Sequence, residues 1–190
     1  MAAQRAHKVS LLTVVISLFI LVAQKQGWLA SAQQAAVKTQ PGLYQVTEFV
    51  DGDTIGVNMN GNGEKVRLIG VDTPETHDPR KPVQCFGLAA ASFTKQLIGK
   101  SAVRLEADPI NTNRDRYNRL LRYVYLPDNR LVNAEIIKQG YGFAYLSFPF
   151  TKADEFRQYE TNARSANLGL WHNCKPTKNQ YGGYTANTAQ

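Results

Sequence analysis

Val66-Arg67-Leu68-Ile69-Gly70-Val71-Asp72-Thr73-Pro74-Glu75 puts an arginine inside an apolar run and two carboxylates just beyond its end, on either side of a proline that stiffens the chain. The run itself reads as a strand. A guanidinium set among Val, Leu and Ile needs an anionic partner or access to water, because leaving it buried and unpaired would cost several kcal/mol. Packing alone therefore does not explain Arg67.

Upstream lie two more β-like runs, Leu43 to Val50 and Thr54 to Met59, and the strand around Arg67 takes in Lys65 to Val71. Asp51-Gly52-Asp53 and Asn60-Gly61-Asn62-Gly63 supply the turn chemistry between them, so a three-strand meander is expected. Downstream, a helix is expected from about Val83 to Leu97 with a stop at Gly99. Strands at Ala102 to Ala107 and Leu120 to Leu126 follow. Helices at Val132 to Gln139 and at about Lys152 to Asn167 come last, the latter opened by a capping box of Thr151 with Asp154. This order fits an α+β fold, a five-stranded Greek-key barrel of the oligonucleotide/oligosaccharide-binding kind carrying about three α-helices.

The ends of the chain read differently. Residues 1–32 begin with a basic stretch, Arg5 to Lys8, run on through apolar Val9 to Ala23 and reach small residues at Ala30-Ser31-Ala32, the pattern of an export signal. The protein is thus expected to be secreted or periplasmic, with an uncleaved N-terminal anchor as the alternative. Residues 33–42 read as a linker, 43–174 as the folded domain, and 175–190, with Gly182-Gly183 and scattered Asn, Thr and Gln, as a disordered tail. Arg5, Lys8 and Lys25 lie in the leader, so the formal charge of +7 falls to +4 without it. That modest excess suits a polyanionic partner and suits an ordinary basic surface equally well.

Cys85 and Cys174 are the two cysteines. In an oxidising compartment an even count argues for a disulfide. The competing readings are two separate thiols, or a catalytic cysteine with His77 or His172, although nothing around either cysteine resembles a nucleophile site. His77, beside Asp78, and His172 read as solvated residues, and Trp171 as an apolar anchor for the chain end.

Two further clusters flank the opening stretch. Val50-Asp51-Gly52-Asp53-Thr54 lies where the first strand turns into the second, and Asp115-Arg116-Tyr117-Asn118-Arg119 directly precedes the strand from Leu120. Taken singly, the first is a tight turn and the second a solvated basic loop. Together with Arg67, Asp72 and Glu75 they contain what phosphodiester hydrolysis requires. Hard oxygen ligands hold a divalent ion, a carboxylate handles the proton of water, and two planar guanidiniums neutralise the transition state.

The motifs V-D-G-D-T, R-L-I-G-V-D-T-P-E-T and D-R-Y-N-R, in that order, resemble the staphylococcal nuclease (thermonuclease) family over about residues 43–171. The resemblance implies Ca²⁺ bound by Asp53, Asp72 and the backbone carbonyl of Thr73, with Asp51 holding ion-bound water. It implies that Glu75 orients or deprotonates the attacking water while Arg67 and Arg119 clamp the phosphate. Arg116 would lie near a terminal phosphate, with Tyr117 and Tyr145 beside the nucleotide. Implied products are fragments of DNA and RNA ending in 3′-phosphate. Asn118 stands where the family usually has glycine, and Ser147 replaces a second aromatic near Tyr145. The cysteines, absent from the best-known member, would staple the start of the first helix to the end of the last.

The resulting expectation is a monomeric exported nuclease acting on nucleic acid, single strands preferred, with no protein partner. The rival is a catalytically inactive nucleic-acid-binding module on the same barrel, whose mark would be loss of Asp53, Glu75 or an arginine. None is lost.

Overall fold

The computed structural model of the chain describes residues 42–76, 82–180 and 182–188, together with Val22. Backbone contacts divide the chain into two units, Met1–Lys38 and Thr39–Gln190, and the second carries the fold. The expected signal (1–32) and linker (33–42) fall outside the described residues, Val22 and Gly42 apart. Among the described residues no helix is long and apolar enough to cross a membrane.

The expected meander is present as β1 (Leu43–Phe49), β2 (Thr54–Met59) and β3 (Asn62–Leu68). With β5 (Ala102–Glu106) and β6 (Leu120–Tyr125) it forms a closed barrel in the order β1-β2-β3-β6-β5. Only β3 and β6 run parallel. A bulge between Val46 and Glu48 irregularises β1 where the sheet must curve to close. The run around Arg67 divides in two: the strand ends at Leu68, and β4 (Val71–Asp72) leaves the barrel to pair with β7 (Phe143–Ala144). Gly70 makes that turn at φ +70°, and a Cβ there would lie 2.6 Å from the Phe150 ring, so glycine is required on two counts.

Four helices are described: α1 (Gly87–Ile98), α2 (Val132–Lys138), α3 (Ala153–Ser165) and the single turn α4 (Leu170–Asn173). In α3, Phe156, Glu160 and Ala163 are buried, an i, i+4, i+7 stripe that lays the helix against the core. Asn133 of α2 is fully buried and satisfied: its amide donates to the carbonyls of Ile69 and Arg122 and its oxygen accepts from Val124 N–H.

Three sequence expectations need correction. The first helix begins at Gly87 instead of Val83, because Phe86 adopts a left-handed conformation (φ 70°) and Gln84 bridges to Thr188 in extended form. Thr151 does not cap α3; its N–H and hydroxyl both go to the Asp108 carboxylate, at 2.7 and 2.6 Å, and Lys152 precedes the helix without a side-chain cap. Nor are the described residues of 175–190 without regular structure, as the expected disordered tail would be, since β8 (Thr177–Lys178) pairs with β9 (Tyr184–Thr185) and Tyr184 packs against Phe143 and Trp171. Trp171 is the anchor expected of it, 7% exposed.

The two cysteines form a disulfide, Cys85–Cys174, spanning 89 residues. Cys174 directly follows α4, and Cys85 lies two residues before α1.

Asp108 ties the loop after β5 to the rest of the fold. Its carboxylate, 2% exposed, accepts from Ile110 N–H, Asn111 N–H, Tyr123 O–H and both donors of Thr151. Burial works against its charge, but the hydrogen bonds from Thr151, Tyr123 and Ile110 outweigh burial and hold its pKa below the usual carboxylate range. Asp108→Asn, which turns an amide N–H toward those donors, is expected to cost about 3 kcal/mol by urea denaturation at pH 7. Because the folded pKa is depressed, this stabilisation is present above about pH 4, the unfolded value, and is lost as pH falls through the lower folded value. The variant should therefore approach the parent in stability once the pH falls below the lowered folded value, and an unchanged gap there would contradict the assignment.

Candidate active site

The barrel brings the three charged clusters to one rim. In the β2–β3 hairpin the start of one strand faces the end of the other, so Thr54 pairs with Arg67. In the parallel β3–β6 pair, Leu120 stands beside Val66 and Leu121 beside Arg67, which brings Arg119 to the same end. Residues distant in sequence meet because β3 pairs with β2 on one side and with β6 on the other in the closed sheet.

At the centre, the Arg67 guanidinium lies 2.9 Å from Asp53 Oδ1 and 3.3 Å from Asp72 Oδ1, and donates to the Val71 carbonyl at 2.7 Å. Burial opposes its charge, yet the carboxylates of Asp53, Asp72 and Asp51 more than offset this and hold its pKa above the ordinary arginine value. The anionic partner demanded by the apolar run is therefore a carboxylate pair. Asp53, 4% exposed, is heavily engaged: Oδ2 accepts from Thr73 N–H (2.8 Å) and hydroxyl (3.0 Å), and Oδ1 accepts from the Thr54 hydroxyl. Asp51 Oδ1 accepts from Asp53 N–H at 3.0 Å. Burial first, and the Asp53 carboxylate second, push the Asp51 carboxyl up to about 7. A further negative charge at Asp51 is thus costly unless a cation comes near it.

The second guanidinium is held from the far side. Arg119 Nε and Nη2 both meet Asp115 Oδ2 at 2.7 Å, and Nη1 reaches the Thr54 hydroxyl at 3.4 Å. Burial would raise the Asp115 pKa, but the Arg119 bonds outweigh it and the carboxyl titrates below its usual range. Asn118 takes the left-handed conformation (φ 64°) that the turn needs and that asparagine tolerates. The loop is pinned at both ends. Arg114 makes a two-point contact with Glu64 and donates to the Asn118 carbonyl, while the fully buried Arg122 donates to the carbonyl and side chain of Asn113. Burial first and the Arg114 charge second lower the Arg122 pKa to about 10, still a cation at neutral pH.

Glu75 follows Asp72 and Thr73 into a cleft of ≈ 230 Å³ that these three residues line with Gln84 and Phe143, and Thr185 and Ala186 of the chain end complete it. Its Oε1 accepts from Thr76 N–H at 2.8 Å. Its backbone is fixed by Gln84, whose side-chain oxygen accepts from Glu75 N–H (2.8 Å) and whose N–H donates to the Glu75 carbonyl (2.9 Å).

Of the expected residues, Asp51, Asp53, Arg67, Asp72 and Thr73 form one bonded cluster, joined to Arg119 through Thr54. Tyr117 is 62% exposed, with the Arg116 and Arg119 guanidiniums 4.8 and 5.3 Å from its ring centre. An accessible ring flanked by cations suits stacking on a base beside a phosphate. Tyr145 packs edge-on against Phe148, and its N–H donates to the Gly70 carbonyl. Asp115 was visible in the sequence only as a loop charge. Gln84 carried no sequence signal, because its partner Glu75 is nine residues away and no local pattern pairs the two.

The family described as "Staphylococcal nuclease homologue" matches residues 65–173. The thermonuclease of Staphylococcus intermedius is 35% identical over 164 residues, covering 84% of this chain and 94% of that protein. The thermonuclease of Staphylococcus hyicus is 36% identical over 167 residues, covering 86% and 96%. A Bacillus subtilis (strain 168) protein named "Endonuclease YncB" is 41% identical over 138 residues, covering 70% and 64%.

Proposed function

This chain belongs to the staphylococcal nuclease family, and from that premise we propose that it is an exported, calcium-dependent nuclease cutting DNA and RNA to 3′-phosphate ends. The observation that carries the reading is the Asp53–Arg67–Asp72 cluster, joined through Thr54 to a second guanidinium at one barrel rim. The Cys85–Cys174 disulfide supports export, since such bonds persist in oxidising compartments.

Asp53, Asp72 and the Thr73 carbonyl are the ion ligands in this reading. Oxygen donors without His or Cys suit a hard cation. Among the described residues no three His, Cys, Asp or Glu side chains converge as a metal set, so protein donors alone leave coordination incomplete. Water and substrate oxygens would supply the remainder. The ion supplies charge neutralisation at the phosphoryl oxygen. Arg67 bridges the two carboxylates, so ion binding competes with that bridge, and a substrate phosphate offers the guanidinium a replacement partner. Ion and substrate should then each tighten the binding of the other.

Arg67 and Arg119 hold the phosphate and neutralise charge as the pentacoordinate transition state forms. Glu75 orients the attacking water and accepts its proton, and Asp51 holds water near the ion. Tyr117 and Tyr145 flank the nucleotide, and Arg116 meets a terminal phosphate. Residues 33–190, purified, are expected to digest single-stranded DNA with calcium and to stop when the ion is chelated. Binding of DNA without any digestion would instead identify an inactive module. Isothermal titration of calcium with and without a non-hydrolysable dinucleotide checks the coupling, and about a tenfold gain in ion affinity is expected.

A further inference from the structure

We propose that Gln84, backed by the Asn187-Thr188 segment near the chain end, is a positioning residue for Glu75. The inference rests on the nuclease reading and adds to it a residue outside the three motifs. Gln84 and Glu75 make reciprocal hydrogen bonds, side-chain oxygen to N–H at 2.8 Å and N–H to carbonyl at 2.9 Å. Two bonds from one residue fix both the position and the tilt of the Glu75 backbone, and with it the origin of its side chain.

Gln84 is itself held from behind. It bridges to Thr188, and the next residue, Cys85, donates its N–H to the Asn187 carbonyl at 2.8 Å. Asn187 in turn donates from its side chain to the carbonyls of Cys174 and Lys175. The Cys85–Cys174 bridge closes the same circuit covalently. Ala186, 4% exposed, packs in the apolar cluster of Phe143 and Trp171, and it lines the cleft with Glu75. The chain end is thus a wall of the cleft and a buttress for the segment that carries Glu75. A glutamate that handles a water proton must sit within hydrogen-bond reach of it, and small displacements of such a group are costly.

The effect should fall on turnover more than on substrate binding, because the phosphate contacts belong to Arg67 and Arg119. In steady-state assays on single-stranded DNA with calcium, Gln84→Ala is expected to lower kcat about tenfold with KM within about twofold. Gln84→Glu keeps an acceptor for Glu75 N–H and is expected to retain kcat within about threefold of the parent. Asn187→Ala, which loosens the buttress, should fall between the two. Parent-like kcat in Gln84→Ala, a loss confined to KM, or equal impairment of Gln84→Ala and Gln84→Glu would each overturn the proposal. Parent-like kcat in Asn187→Ala would overturn the part assigned to the chain end. An inactive parent overturns the nuclease reading and this inference with it, whereas an active parent indifferent to Gln84→Ala overturns this inference alone.

Discussion

Arg119→Lys is expected to lower kcat/KM on single-stranded DNA by about two orders of magnitude while shifting the melting temperature by only a few degrees. Three nitrogens of Arg119 are already assigned: Nε and Nη2 face Asp115, and Nη1 faces Thr54. The planar fork therefore points one edge at its support and leaves the other toward the rim that holds Arg67. Lysine has one ammonium, which can satisfy Asp115 or a phosphate but cannot reproduce this fork. The stability cost is small because a lysine keeps the positive charge beside Asp115, which lies four residues away in the same loop. The exposed pair Arg130–Asp128, with side chains 53% and 54% exposed, supplies the control, and Arg130→Lys should leave both activity and melting unchanged. Near-parental turnover in Arg119→Lys would remove Arg119 from the phosphate contact.

Loss of the disulfide should produce the largest change in stability. Cys85→Ala with Cys174→Ala frees a loop of 89 residues in the unfolded chain. In the chain-entropy account this costs about 4 kcal/mol, roughly 15 °C in melting temperature for a domain of this size. The bridge also joins the segment before α1 to the end of α4, beside the cluster formed by Phe143, Leu170, Trp171 and Ala186. The double variant is therefore expected to expose the chain end to proteolysis before the barrel melts. An unchanged urea midpoint, compared with the oxidised parent, would show that the bridge contributes nothing to the folded state. Intact-mass measurement with and without thiol labelling establishes the oxidised starting material.

Much of the barrel was legible from local pattern. Thr54 to Met59 was bounded correctly because Asp-Gly and Asn-Gly turns bracket an apolar run, and Leu120 to Leu126 was recovered to within one residue. The errors share a cause. Val83 to Phe86 resembles the start of a helix, yet a left-handed Phe86 and the pairing of Gln84 with Thr188 keep it out of the helix. Thr151 sits at the right distance from Asp154 for a capping box, but a buried carboxylate on a remote loop takes both of its donors. The polar, glycine-bearing end of the chain lacked an apolar run of its own. It is ordered by Tyr184, which seals Phe143 and Trp171, and by Asn187, which pairs with Cys85 N–H.

The sequence by itself determined most of the barrel strands, the turns of the first meander, and the demand of a guanidinium in an apolar strand for an anionic partner or access to water. Those are local properties, set by side-chain alternation, backbone-compatible turn residues and the cost of an unpaired charge. Only the tertiary structure decided which carboxylates answered Arg67, that Asp115 and Thr54 hold Arg119, and that Gln84 holds Glu75. Closing a five-stranded sheet makes neighbours of residues tens of positions apart, and hydrogen bonds then form between groups that no local rule pairs. Arg67 was visible as a charge in need of a partner, and the barrel supplied Asp53 and Asp72.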